Sequence, residues 1–543
     1  MKFIKKNYKV FLLIILIMFY FNYAVSITWD SAHYLGYLKI LQRQVPFSSW
    51  DVVRGPIFPL IIYFGNILFS HTSHGLLVNT FIYYLIMLFF VKKIIVYILN
   101  DLNFNNKFKK VIEYIIIFLI IINPIIYGYY HCLLTEFVAI TLSVVSCYLC
   151  IIWLNLDFYE NKKKYIFVSL IFVFLTIFSW FLKQPYVSCG FFALIITYTI
   201  SIFENHSWKQ LLVRTATVLC CIFCLIMSIK IWNHILDSHG ANSNTTRNPS
   251  NGLGLQLITA VDYLNINNKN EIYDVNFIKS SNLSKKEKNE VLDLLNAKKK
   301  YILIYKYNKM NEVIDVDYIE TKNPKMISMS SSIKYLIKTF IDNPIKLIKS
   351  YINNYFCIID IYRTTTTDGI GYESEKKFDI NFSNELTVIG NKPYSNVDSN
   401  FFPLSDELYQ NAINYYSPNH ANEILNKFML FMSMIFIYIF KFIFAFLPIS
   451  LIITIIMCIK CKNIIIKNLY NVLIILFGFS LLHVLLHTFT GAIIDRYALP
   501  AFISTFIGII FLPFVIFNDC KKNSNIKKCK NCKIVEKSKI KKK

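Results

Sequence analysis

Residues 131–154 read HCLLTEFVAITLSVVSCYLCIIWL. The run is apolar over enough residues to cross a bilayer as one helix, which takes about 20 residues. A single carboxylate, Glu136, stands one helical turn inside it. An acid at that depth must either be paired with a partner or line a water-filled cavity. This stretch therefore predicts a membrane-spanning helix with a polar site at its start.

Comparable apolar runs recur along the whole chain of 543 residues, of which 55% are hydrophobic. The pattern predicts an all-α polytopic membrane protein with about ten transmembrane helices. The lysine-rich start followed by residues 10–24 has no small-residue cleavage site, so we interpret it as a retained first span and not as a signal peptide. The predicted spans cover residues 10–24, 75–100, 111–127, 131–154, 165–180, 186–203, 211–235, 428–459, 469–486 and 498–517.

Basic residues account for the formal net charge of +24 and cluster at the ends of spans and in the tail. With ten spans, the clusters fall on one side of the membrane, which the positive-inside rule assigns to the cytoplasm. We therefore expect a multi-pass protein of the plasma or inner membrane, with both termini cytoplasmic, and no role for nucleic acid. The clusters lie at residues 2–9, 107–110, 162–164, 209–214, 460–467 and 541–543.

The same count places the unusual polar segments together on the outer side. We divide the chain into an N-terminal transmembrane module at 1–235 with a first outer loop at 28–74, an extracytoplasmic domain at 236–427, a C-terminal transmembrane module at 428–518 and a basic cytoplasmic tail at 519–543. Helical spacing of apolar residues predicts an amphipathic helix at 333–356, and residues 56–69 predict a short interfacial helix. The run at 428–459 is too long for one straight span, so we expect a division at Lys441.

The first outer loop holds the candidate catalytic acid. Asp30 follows the first span directly and stands beside Trp29. Partial desolvation there would suit a general base. Asp51 is a further candidate, although its neighbour Arg54 offers it a simple ion pair.

Cations on the predicted outer side are candidates for anion binding. A guanidinium binds a phosphate bidentately and stays charged. We assign this role to Arg54, to Lys183 and to Arg496 with its neighbour Tyr497. Interfacial anchoring remains the alternative for Arg496, and snorkelling to the membrane surface remains the alternative for Lys183.

Three further side chains could line the same cavity: Tyr34, Glu136 and His487. His483 and His487 are one helical turn apart, but no carboxylate lies in register with them, so we predict no metal site. The chain has no G-x-S-x-G, H-E-x-x-H or P-loop sequence, so motif evidence for a serine hydrolase, a zinc protease or an ATPase is missing.

Several of these motifs together resemble the GT-C superfamily of polytopic glycosyltransferases. The likeness rests on a first span that ends in Asp30 with Tyr34 four residues on, and on Arg54-x-Pro56-x-Phe58-Pro59. It also rests on Thr135-Glu136 at the start of a span, on an amphipathic helix ahead of the later spans, and on Arg496-Tyr497-x-x-Pro500. That group includes the dolichyl-phosphate-mannose–protein mannosyltransferases and the lipid A aminoarabinose transferases.

The resemblance implies a GT-C-like fold and an enzyme that takes a sugar from a polyprenyl-phosphate donor. Asp30 would be the base or the acid that positions the acceptor, and Arg496 would hold the carrier phosphate. The acceptor would be an envelope glycan, a lipid or a protein on the outer face, and no cofactor is expected beyond the lipid-linked sugar. The alternatives are a lipid-linked oligosaccharide polymerase or ligase and a non-catalytic membrane transporter.

Overall fold

A computed structural model describes residues 14–21, 34, 37–38, 40–50, 55–68, 73–131, 133–204, 207–241, 344–359, 423–490 and 495–540, with isolated positions at 285, 289, 336–337 and 340–341. All regular secondary structure in these residues is helical. The helices named below are α1 (Ile57–Leu68), α2 (Ser73–Asp101), α3 (Asn106–Ile121), α4 (Pro124–Tyr130), α5 (Thr135–Leu154), α6 (Lys162–Leu182), α7 (Val187–Phe203), α8 (Trp208–Ser238), α9 (Pro344–Ile358), α10 (Glu423–Lys460), α11 (Ile464–Thr490) and α12 (Leu499–Ile540).

Eight helices in the described part of the chain are long and apolar enough to cross a membrane. The bent pair α3 and α4 makes a ninth candidate if it acts as one span. The protein is thus a polytopic helical membrane protein, as predicted. These nine correspond in order to the nine predicted spans from 75–100 onward, whereas the predicted first span lies largely outside the described residues.

Helix α5 lies at the centre of the bundle. Within the protein, 83% of its membrane span is buried, against 22% for α8, which lies at the periphery. It packs against α2, α6, α7, α11 and α12, so it touches both the N-terminal and the C-terminal helices. Groups at the two ends of α5 are therefore enclosed by helices from distant parts of the sequence.

The predicted span at 111–127 is interrupted by a bend of 57° between α3 and α4. Pro124 cannot continue the hydrogen-bond ladder of α3, and it begins α4 instead. The Asn123 side chain caps the new helix by accepting hydrogen bonds from the amides of Ile125 at 3.0 Å and Ile126 at 3.4 Å. The span predicted at 111–127 is thus built from two helices, which the Asn123-Pro124 pair divides.

Helix α10 corrects a second expectation. It runs without a break through Lys441, where a division had been predicted, and it also accommodates Pro448. At 38 residues it is longer than the bilayer core is thick, and the span itself covers Phe431–Lys460. One continuous helix therefore extends past the membrane span at its N-terminal end.

Two short amphipathic helices accompany the spans. Helix α1 has 12 residues, lies within the short helix predicted at 56–69, and packs on α2 and α6. Helix α9 forms part of the predicted helix 333–356 and packs on α11. Its Tyr355 hydroxyl donates to the Phe444 carbonyl on α10 at 2.6 Å, while Ile345 and Ile348 are exposed on another side of the helix. Helix α9 is thus fixed to the C-terminal spans.

Helices α6 and α7 form a close hairpin. A Cβ on Gly190 would lie 2.4 Å from the Leu175 carbonyl oxygen, so only glycine permits this approach. The loop between the two helices is consequently short, and it consists of Lys183 and the 3-10 turn Gln184–Tyr186. This hairpin fixes Lys183 and Tyr186 at one end of the bundle.

Candidate functional site

Glu136 lies in the first turn of α5 and is fully buried. Both carboxylate oxygens are engaged: Oε1 accepts a hydrogen bond from the Tyr186 hydroxyl at 2.9 Å, and Oε2 accepts one from the Thr135 hydroxyl at 3.2 Å. Arg496 Nε lies 3.3 Å from Oε1 and forms an ion pair. The N-terminal end of a helix also favours negative charge. Of the two alternatives for this acid, the structure supports pairing.

Arg496 and Tyr497 belong to the 3-10 turn Asp495–Ala498, which precedes α12 directly. Both residues are buried, with 5% and 7% of their surfaces exposed. The guanidinium carbon lies 5.7 Å from the centroid of the Tyr497 ring, within the range of a cation–π interaction. The turn therefore carries a guanidinium inside the protein, beside a carboxylate and an aromatic face.

Lys183 brings a second cation to the same place. Its Nζ lies 4.7 Å from the centroid of the Tyr497 ring and 6.0 Å from that of Tyr186, while the residue keeps partial access to solvent. Burial and the nearby Arg496 would lower the pKa of Lys183, but the influence of Tyr497, Glu136 and Tyr34 outweighs them, and the pKa is raised. Lys183 is thus an ammonium ion at neutral pH.

Two histidines from α11 contact Tyr497, one at its ring and one at its main-chain carbonyl. His487 stacks on its ring with a centroid distance of 4.8 Å. His483 Nε2 lies 2.7 Å from the Tyr497 carbonyl oxygen, and His483 Nδ1 lies 2.6 Å from the Ser188 hydroxyl. Because both nitrogens of His483 are engaged, it presents no lone pair to a metal ion. The described residues include no group of three or more side chains suited to hold a metal.

The described part of the first predicted outer loop also approaches this site. Tyr34 is buried, packs edge-to-face on Phe58 at 4.6 Å, and influences Lys183 electrostatically. Gly55 touches the α6 end of the Lys183 loop so closely that a Cβ would lie 1.9 Å from the Phe181 carbonyl oxygen. Gly55, just before α1, thus lies against the main chain two positions from Lys183.

The structure therefore brings together Tyr34, Glu136, Lys183, His487, Arg496 and Tyr497, all named from the sequence. We call this set, with Tyr186, Ser188 and His483, the outer cluster, after the side of the membrane that the sequence predicts for it. The remaining site predictions, Asp30, Asp51 and Arg54, lie outside the described residues. They stay predictions.

His131, one of the histidines on the same predicted side, belongs to different surroundings. Its ring lies between those of Tyr20 and Tyr127, each at a centroid distance of 4.2 Å. Each ring nitrogen lies 2.9 Å from a carbonyl oxygen of one of these tyrosines. His131 thus connects α4 to the helical residues 14–20.

Tyr186, Ser188 and His483 were not predicted as members of the cluster. Tyr186 follows Lys183 by three residues in a proline-containing turn, and this proximity was a usable signal. Ser188 and His483 are 295 residues apart, and each stands in an apolar run without a visible partner. Their pairing becomes apparent only when α7 and α11 are packed together.

The charges of the outer cluster define what it can do. Among the described residues, Lys183 and Arg496 are two cations and Glu136 is one carboxylate. Aromatic rings and buried hydroxyl groups surround these charges, so the local dielectric is low and each cation would act strongly on a bound anion. The arrangement suits an anionic group that approaches from the Lys183 side, where the cluster is partly accessible.

Comparisons with known proteins add no family assignment. No family model matches the chain, and neither a curated protein nor a solved structure matches it.

Proposed function

We propose that this protein is a membrane glycosyltransferase that moves a sugar from a polyprenyl-phosphate donor to an extracytoplasmic acceptor. The observation that carries the proposal is the approach of two cations, Lys183 and Arg496, to the ring of Tyr497. Lys and Arg are the side chains that bind phosphate groups in proteins. A site of this charge at the end of transmembrane helices suits a phosphate attached to a lipid.

The reaction follows from the chemistry of the donor. The acceptor hydroxyl oxygen attacks the anomeric carbon of the sugar, and the bond from that carbon to the phosphate oxygen breaks. The phosphate leaves with the electron pair, and Lys183 and Arg496 stabilise the negative charge that develops on it. The acceptor proton goes to a base, for which Asp30 is our candidate. Direct displacement of this kind inverts the anomeric centre.

The side of the membrane is part of the proposal. The positive-inside rule assigns the basic clusters to the cytoplasm, and the outer cluster then faces outward. Nucleotide sugars do not reach that face, so a donor there must be carried by a lipid. The acceptor would be an envelope glycan, a lipid or a protein.

The test is a transfer assay with purified protein in lipid vesicles and a panel of radiolabelled polyprenyl-phosphate monosaccharides, with crude envelope material as acceptor. We expect wild-type protein to release polyprenyl phosphate and Arg496→Gln to release it at least tenfold more slowly. Lys163→Gln serves as the matched control, since it removes an exposed cation at the opposite end of α6.

Asp30→Asn in the same assay tests the enzyme class and the role of Asp30 as the base separately. Loss of release in this variant supports both, and unchanged release keeps the enzyme class but removes Asp30 as the base. If wild-type protein releases nothing from any donor, the proposal is overturned in favour of an oligosaccharide-dependent polymerase or ligase, or of a transporter.

A further inference from the structure

His483 is a buried side chain that connects three segments of the outer cluster. It belongs to α11, and its surface is fully covered. Its Nε2 lies 2.7 Å from the main-chain oxygen of Tyr497, and its Nδ1 lies 2.6 Å from the hydroxyl of Ser188 at the start of α7. One imidazole thus touches both the turn that carries Arg496 and the helix that follows Lys183.

The donor and acceptor pattern fixes one proton of this ring. A carbonyl oxygen only accepts hydrogen bonds, so Nε2 must carry the hydrogen that is shared with Tyr497. If the ring is neutral, Nδ1 has a lone pair and accepts the proton of the Ser188 hydroxyl. Ser188 Oγ also lies 3.0 Å from the Pro185 carbonyl oxygen, but its single proton serves one acceptor at a time.

The surroundings favour the neutral ring. A doubly protonated His483 would add a buried cation near Lys183 and Arg496, and among the described residues of the cluster Glu136 is the carboxylate. An additional buried charge without its own partner is costly. The groups packed on the ring are aromatic: Phe479 at 5.8 Å, His487 at 5.0 Å and Tyr186 at 6.5 Å between ring centroids.

We infer that His483, as the neutral Nε2–H tautomer, is a positioning residue that holds the Arg496–Tyr497 turn in place for anion binding. The bond to the Tyr497 carbonyl sets the main chain next to Arg496, and the bond from Ser188 sets the orientation of the ring. The side chain acts through the turn and does not touch the anion itself. The inference rests on the proposed function in that the anion is the donor phosphate.

Two substitutions separate the two bonds of His483. In His483→Gln, the longer side chain places an amide N–H near the position of Nε2, which can still donate to Tyr497. In His483→Asn, the shorter side chain places an amide oxygen near the position of Nδ1, which can still accept from Ser188 but leaves the Tyr497 carbonyl without this donor. The two variants are both polar amides, so they serve as controls for each other.

The experiment measures polyprenyl phosphate binding to the full-length protein in lipid nanodiscs, together with thermal stability. We expect His483→Gln to bind within about threefold of wild type and His483→Asn to bind about tenfold or more weakly, as loss of one buried hydrogen bond predicts. Both variants should unfold at similar temperatures. Equal binding by the two variants, or weaker binding by His483→Gln, overturns the inference.

A second readout does not require a ligand. Solid-state NMR of protein labelled with ¹⁵N-histidine should show a protonated Nε2 and an unprotonated Nδ1 for His483, with the resonance assigned by its absence in the variants. The ¹³C shift of the Tyr497 carbonyl should move in His483→Asn and stay in His483→Gln. A protonated Nδ1 overturns the inference about His483. Absence of phosphate binding by wild type, with these NMR signatures in place, overturns the proposed function alone.

Discussion

Helix α5 has a buried arginine at each end, and the two differ in what they contact. At the C-terminal end, the fully buried Arg214 donates through Nη2 to the Leu154 carbonyl at 2.9 Å, and it also binds the Ser201 hydroxyl. At the N-terminal end, Arg496 pairs with a carboxylate, Glu136, and lies beside a tyrosine ring. Both placements follow the helix dipole, with a cation at the last carbonyls and an acid at the first turn.

The difference separates a structural arginine from a candidate binding arginine. Arg214 is held by the main-chain carbonyls of Trp153 and Leu154 at the end of α5 and of Leu156 just after it. The carboxylates of Asp157 and Glu204 also act on it electrostatically. The guanidinium carbon of Arg214 lies 5.0 Å from the centroid of the Trp153 ring. Arg496 contacts side chains from other helices and shares its surroundings with the ammonium group of Lys183. A guanidinium bound to carbonyls closes a helix end, whereas a guanidinium beside a carboxylate, a tyrosine ring and an ammonium group is a candidate for ligand binding.

The largest effect that tests this comparison is expected for Arg214→Met. The substitution leaves buried carbonyl oxygens at the end of α5 without their donor, and we expect a loss of about 3 kcal/mol in the free energy of unfolding. Thermal unfolding in detergent measures it. Lys209→Met on the same helix is exposed and should change little. A variant as stable as wild type would remove the structural role of Arg214.

Arg496→Gln is expected to weaken ligand binding. We expect the Kd for polyprenyl phosphate to rise at least tenfold, because a charge-assisted contact of about 1.5–3 kcal/mol is lost. The single change also leaves Glu136 without its cation, so the double variant with Glu136→Gln is the appropriate control for stability. If the double variant folds well and still binds as wild type does, Arg496 is an anchor and not a binding residue.

Much of the comparison could be predicted from sequence, but not all of it. The spans and the approach of Glu136, Lys183 and Arg496 follow from hydropathy and from which helix ends share a side of the membrane. Arg214, by contrast, had been counted as a charge between spans, although it is buried within α8. The number of basic residues near a helix end indicates orientation but does not show which of them turns inward to cap a neighbouring helix.

The partners of polar residues inside apolar runs are still harder to predict from sequence. Ser188 and His483 each satisfy the other from different helices, and sequence patterns contain no information about such pairs. The Asn123-Pro124 pair is a local signal for the bend between α3 and α4. Lys441 does not interrupt α10, because one lysine can be accommodated within a long helix. Local signals thus predicted the helices, while contacts between distant helices decided the membership of the outer cluster.

A smaller effect is expected for Gly55→Ala, which tests whether the first outer loop supports the outer cluster. Gly55→Ala places a Cβ against the main chain at Phe181, which cannot move aside as a side chain can, so we expect a cost of about 1–3 kcal/mol and weaker phosphate binding. Gly478→Ala is the matched control, since its Cβ would meet only the side chain of Ile196 at 3.0 Å. Equal effects of the two substitutions on phosphate binding would show that the first outer loop does not support binding at the outer cluster.

The smallest effect is expected for Tyr186→Phe. It removes one hydrogen bond to Glu136 and leaves the ion pair to Arg496, so stability should fall by about 1 kcal/mol and phosphate binding by a few-fold. Tyr159→Phe, at an exposed position near the opposite end of α6, is the control. A loss of binding as large as that in Arg496→Gln would show that Tyr186 contacts the ligand directly.

The central position of α5 has a consequence for how the protein is made. Lys183 and Glu136 leave the ribosome long before Arg496, and Ser188 precedes its partner His483 by 295 residues. At synthesis rates of about 5–20 residues per second, that interval is on the order of tens of seconds. During it, Glu136 has its hydrogen bonds from Thr135 and Tyr186 but not its ion pair with Arg496, and Ser188 has not met His483. A chain that stops early would expose those groups within the membrane, where quality-control proteases could distinguish it from the finished protein.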